Sequence, residues 1–109
     1  MHPYIENRRV ELEALCRQFR VERLELFGSA ASDRFDPRSS DLDFIAAFAD
    51  RSVGGYADRY LGFAEALEAL FDRRIDLLTE RSIRNPIFRE AVSRTRQPIY
   101  EHRGEKAAA

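Results

Sequence analysis

One cysteine, Cys16, in 109 residues leaves no internal disulfide to form, and the only two histidines, His2 and His102, stand near the chain ends. A disulfide scaffold is therefore excluded, and a zinc site built on clustered cysteine and histidine has nothing to draw on. No apolar run approaches the roughly 20 residues that cross a bilayer. The opening MHPYIENRR has neither the apolar stretch nor the small-residue cleavage site of a secretory signal. A soluble protein that stays in the cytoplasm, with no membrane partner, is expected. Neither sign of charge is in excess: the formal net charge is −1. The cationic pull that holds nonspecific binders to a phosphate backbone is missing, so direct nucleic-acid binding is not expected. Repeats and low-complexity linkers are absent as well, and the length suits one domain. Residues 1–103 are assigned to that domain and 104–109, GEKAAA, to a flexible tail or an expression scar.

What the chain does have is 44% hydrophobic residues, enough for a packed core, in patterns that alternate between helix and strand. Over residues 5–19, Leu12, Leu15, Cys16 and Phe19 share one helical stripe. VERLELF sets Leu24 and Leu26 against Arg23 and Glu25 with the period of a strand, and AASDRFDPRSS then reads as a short helical turn and a loop. DLDFIAAF resumes the alternation, with Leu42, Phe44, Ala46 and Phe48 on one side and Asp41, Asp43, Ile45 and Ala47 on the other. ADRSVGGY is a flexible connection, after which Asp58 is placed to cap a helix carrying Tyr60, Phe63, Ala64, Leu67, Leu70 and Phe71. RRIDLLTE reads as a short strand. Asn85 and Pro86 open a last helix with Phe88, Ala91 and Val92 inward, which ends before Pro98, and an edge strand at Ile99 and Tyr100 follows. The expected class is α/β (α+β), a small mixed sheet with helices mainly on one face. Arginines concentrate from Arg73 onward and read as solvated helix faces.

Residues two apart on a strand project from one face with Cα atoms roughly 6.5 to 7 Å apart, so Asp41 and Asp43 converge. If Ile75 and Leu77 face the core, Asp76 faces away from it. Pairing of its strand with the one before then brings a third carboxylate to the same patch. Three acids on one face repel and lose solvation unless a cation offsets them. Hard oxygen donors favour Mg²⁺ or Mn²⁺, and Mg²⁺ takes one or two carboxylates with substrate oxygens completing its shell. Gly28 and Ser29, between a strand and a helical turn, supply the complementary half: backbone N–H groups and a hydroxyl for phosphate oxygens.

At these residues the chain resembles the minimal nucleotidyltransferases of the DNA polymerase beta superfamily. Their signature, Gly-Ser, a loop, then Ser-Asp-x-Asp and apolar residues, is present as Gly28, Ser29 and then Ser40, Asp41, Leu42, Asp43, Phe44. Their third acid falls at Asp76 in RRIDLLT, and the likeness runs from the first helix through Tyr100. The resemblance implies a palm-like fold and transfer of a nucleoside monophosphate, AMP from ATP as substrate, to a hydroxyl with pyrophosphate leaving. On that reading Asp41 and Asp43 bridge two Mg²⁺ or Mn²⁺ ions, Asp76 holds the ion beside the nucleophile, and Gly28 and Ser29 position the terminal phosphates. It also implies a partner, because similar chains accompany HEPN-domain toxins as their antitoxins and in some pairs adenylylate a toxin tyrosine. Where the family commonly continues Gly-Ser-x-Ala-Arg-Gly, this chain has Ala30, Ala31, Ser32 and Asp33. An aspartate there repels a triphosphate, so an antitoxin of the same fold that neutralises its partner by binding only stays open as an alternative. Arg96 and His102 match the loose spacing of HEPN nucleases, but that pair belongs on a continuous helix, which Pro98 would interrupt.

Overall fold

The structure is a computed structural model that describes residues 2–31, 36, 41–49 and 55–102. The alternation read in the sequence builds its two inner strands. In β1 (Val21–Phe27) Leu24 and Leu26 are buried, and in β2 (Leu42–Phe48) so are Leu42, Phe44, Ala46 and Phe48. The two pair antiparallel with Phe27 opposite Asp43. β2 continues through α3 (Tyr56–Phe71) into β3 (Ile75–Thr79), which returns parallel to it. A helix is the usual way to make that crossover, since parallel neighbours cannot be joined by a tight turn. β4 (Gln97–Glu101) pairs antiparallel with the free side of β1, giving the order β3-β2-β1-β4. Pro98 is tolerated there because β4 is an edge strand.

Three helices cover one face of the sheet: α1 (Pro3–Glu6), α2 (Arg9–Gln18) and α3 bury Ile5, Leu12, Cys16, Phe63, Leu67 and Phe71 with the sheet's leucines and phenylalanines. Burial pushes the Cys16 thiol up to about 12, which leaves it a small core residue with no thiolate chemistry near neutrality. On the other face α4 (Pro86–Thr95) lays Val92 over a second cluster with Phe27, Ile45 and Ile83. Asn85 caps α4, its Oδ1 accepting from the amides of Ile87 and Phe88, with Pro86 as the first helical residue. Among the described residues no helix is long and apolar enough to cross a membrane.

Three details depart from the pattern reading. The first helix is two: α1 stops at Glu6, and Asn7 and Arg8 turn the chain before α2. The turn lets α1 lie across the core, with Tyr4 Oη donating to Phe71 O at 2.9 Å, while Arg9 links Glu6 (2.8 Å) to the Ile99 carbonyl (2.7 Å). The N-cap of α3 is Gly55 at φ +90°, and Asp58 sits inside the first turn, where its charge still complements the helix dipole. Asp41 precedes β2 and is exposed. The expected connection through residues 50–54 lies outside the described residues, as do most of the loop after Ala31 and the tail.

Candidate active site

The parallel register of β2 and β3 places Asp43 directly opposite Asp76, on the face away from the three-helix layer. Asp76 is exposed and Asp43 is half-buried. Burial first, then a hydrogen bond with Asp76 and the negative charges of Asp76 and Asp41, push the Asp43 carboxyl up to about 7. The Asp43 carboxyl therefore keeps its proton to a much higher pH than a solvated aspartate does.

Asp43 meets the end of β1 at Gly28. This residue has φ +72°, and a Cβ built on it would lie 2.7 Å from Asp43 Oδ2. The turn over Gly28–Ala31 can therefore approach the acid only because residue 28 has no side chain. The Gly28 amide, expected from the sequence to face a ligand, instead donates to Thr95 Oγ1 at 2.9 Å. A cavity of about 440 Å³ opens beside the turn. Phe27, Phe88, Ala91 and Val92 form its apolar wall, and Gly28, Ser29, Thr95 and Asp43 its polar end.

The five site residues of the sequence reading fall into two groups. Gly28, Ser29 and Asp43 line one cavity, with Asp76 opposite Asp43 on the neighbouring strand. Asp41 stands just ahead of the strand and acts on Asp43 through its charge. Among the described residues no group of three or more His, Cys, Asp or Glu side chains is gathered to hold a metal ion. The donor set nevertheless suits Mg²⁺ or Mn²⁺: all oxygen, a repelling carboxylate pair that a cation would relieve, and open room for substrate oxygens in a shell needing only one or two carboxylates. Ser40 and the divergent Ser32 and Asp33 lie outside the described residues.

Sequence reasoning missed the groups that hold α4 over this face. Arg96 caps the end of α4 and its Nη2 donates to Glu25 Oε1 and Glu80 Oε1, both at 2.5 Å. These bonds raise its pKa further and, with Arg96 the main cause, lower that of Glu80. Glu25 is 8% exposed, a burial that a carboxylate tolerates only when paired. His102 follows β4, with Nδ1 3.4 Å from Tyr100 Oη. Arg96 and His102 thus flank a strand, and the helix a nuclease pair needs does not exist between them.

Comparison with known proteins shows the family and the fold. Residues 10–100 match the family model described as "Nucleotidyltransferase domain". A protein of Methanocaldococcus jannaschii provisionally named a protein adenylyltransferase is 29% identical over 75 residues, 69% of this chain and 73% of that protein. A solved structure provisionally described as a minimal nucleotidyltransferase is 32% identical with a TM-score of 0.68, covering 86% of this chain and 91% of that one. The antitoxin–toxin complex of a tri-AMPylated Shewanella oneidensis HEPN toxin with its MNT antitoxin matches at 17% identity and a TM-score of 0.60, covering 94% of this chain and 77% of that one.

Proposed function

Because the chain belongs to the nucleotidyltransferase domain family, in its minimal form, we propose that it is a metal-dependent protein adenylyltransferase. It moves AMP from ATP onto a hydroxyl of a HEPN-domain partner and so acts as that partner's antitoxin. The observation that carries the reading is the junction of Gly28 with the Asp43–Asp76 pair: a left-handed turn packed against a half-buried carboxylate that stands opposite a second one on the neighbouring strand. The adenylyl transfer is supported by the name of the M. jannaschii relative, and the partner by the HEPN complex among the structural neighbours.

On this reading Ser29 and the turn that Gly28 opens receive the terminal phosphates at the polar end of the cavity, the Gly28 amide itself being held by Thr95. Asp43 and Asp76, with Asp41 at the margin, would hold Mg²⁺ or Mn²⁺. When bound, such a cation would supply charge neutralisation for the phosphate oxygens and a lowered pKa for the acceptor hydroxyl. Asp43, whose carboxyl is pushed up to about 7 by burial and its acidic neighbours, would bind such a cation in its ionised form. The apolar wall of Phe27, Phe88, Ala91 and Val92 excludes water from one side of the phosphates.

The experiment is to incubate the chain and its HEPN-domain partner with labelled ATP and Mg²⁺. Wild type should label the partner, and Asp43→Asn should lower the rate at least about a hundredfold, the scale of losing a group that stabilises transition-state charge. Equal labelling by the two sinks the assignment. Neutralisation of the partner with no labelling by either supports the binding-only alternative, which the sequence motivates through Ser32 and Asp33 in place of arginine and glycine.

A further inference from the structure

Gly28 is held from both sides. Ahead of it stands Asp43 Oδ2. Behind it stands Thr95 Oγ1, which accepts the Gly28 amide at 2.9 Å and itself donates to Val92 O at 3.4 Å. That second bond turns the hydroxyl proton back into the helix and leaves a lone pair toward Gly28. Thr95 is the last residue of α4, and its neighbour Arg96 is tied to Glu25 of β1 and to Glu80 just beyond β3. Arg23 adds a second cation 3.6 Å from Glu25 and 3.5 Å from Glu80. For the end of α4 to slide along the sheet, nearly buried Glu25 would have to give up the closer of its two cations, which is costly.

We propose that Thr95, fixed by the Arg96 clamp, is a positioning residue for the nucleotide's phosphates: it acts through Gly28, whose amide it holds so that the Gly28–Ala31 turn keeps its place against Asp43. The inference rests on the nucleotidyltransferase reading of the site. It assigns to the final turn of α4 a control over nucleotide affinity that the Gly-Ser and Asp-x-Asp motifs do not contain. The effect belongs to the phosphates and not to the base, because Gly28 lies at the polar end of the cavity.

Calorimetric titration of the full chain with ATP and, separately, with inorganic tripolyphosphate, each with Mg²⁺, tests it. Thr95→Val keeps the shape and removes the acceptor. It should weaken both ligands by the same factor, about tenfold for one lost hydrogen bond. Thr95→Ser, which keeps the hydroxyl, should restore most of the affinity. A structural role alone would lower the thermal midpoint of Thr95→Val and leave both affinities at wild type well below that midpoint. That result overturns the proposal, as does a loss confined to ATP. Asp43→Asn separates the two levels. If it loses the ligands while Thr95→Val binds as wild type, the positioning role falls and the site reading stands. If neither variant differs from wild type, the site reading falls and the positioning role with it.

Discussion

Replacing Gly28 with alanine would put a Cβ 2.7 Å from Asp43 Oδ2 on a backbone at φ +72°. The left-handed conformation alone costs about 1–2 kcal/mol for an L side chain, and the clash falls on an acid held between neighbouring strands. Gly28→Ala is expected to lower unfolding stability by at least that amount and to abolish Mg²⁺-dependent ATP binding. Denaturant titration checks the first, and an unchanged midpoint contradicts the close approach. Asp76 presents the opposite case, a residue whose removal relieves strain. After burial, Asp76 is the next cause that holds the Asp43 carboxyl high, so Asp76→Asn should let Asp43 ionise more readily. The cation-free variant is expected to melt above wild type at pH 8 and, on the proposed metal-dependent reading, to lose the rise in melting temperature that Mg²⁺ should give the wild type. A Mg²⁺ response as large as wild type would remove Asp76 from the cation site. The shared face of Asp43 and Asp76 was legible in the sequence because a strand's period of two is rigid, whereas Asp41 falls ahead of β2. Once Leu42 and Leu77 are buried, Asp43 and Asp76 must share the other face, and only their register needed coordinates.

The elements carry α4 and α3 to the sheet by different means. α3 approaches α2 through Gly62, where a Cβ would lie 2.7 Å from Phe19 Cε1. Helix propensity favours Gly62→Ala by roughly 1 kcal/mol. The Phe19 ring, itself packed on Phe63 at 5.9 Å, has no free end to yield, and overpacking costs about 1–3 kcal/mol. A net loss of stability is expected, readable as a lower urea midpoint, and a gain would show that the two helices can separate without cost. α4 depends on charge as well as packing, and here periodicity has little to say. The alternation of β1 assigns Glu25 to the face opposite Leu24 and Leu26, but a pattern along one strand does not say whether another layer covers that face. The contacts that answer the question, Gly28 to Thr95 and Glu25 to Arg96, span 67 and 71 positions. The split of the first helix escaped for a related reason: Asn7 and Arg8 interrupt an otherwise continuous apolar stripe, and the turn is set by where Tyr4 must reach Phe71.

For the whole molecule, two carboxylates, Glu80 just beyond β3 and Asp43 on β2, set opposing dependences on pH. Glu80 titrates below its ordinary value, Arg96 first among the causes, so its contribution to stability is complete above the ordinary glutamate range and is lost as pH falls through the lowered value. Asp43 titrates above its ordinary value of 3.8, at about 7. Between those two values the folded protein holds a proton that the unfolded chain has released, so stability declines as pH rises through that window and levels off above it. The cation-free protein should therefore be most stable on the acid side of neutrality, near the lower edge of the Asp43 window, and melt at progressively lower temperature toward pH 8. On the proposed metal-dependent reading a divalent cation would bind the ionised Asp43 and compete with its proton, so its stabilisation should follow mass action and grow as pH rises. Melting curves from pH 4 to 9 with Mg²⁺ and with a chelator should diverge as pH climbs toward 7 and converge near pH 5. Curves that run parallel across the range would mean that Mg²⁺ binds away from Asp43. In Asp43→Asn the acid-side optimum should disappear and the two curves should merge, leaving only the fall in stability as Glu80 protonates.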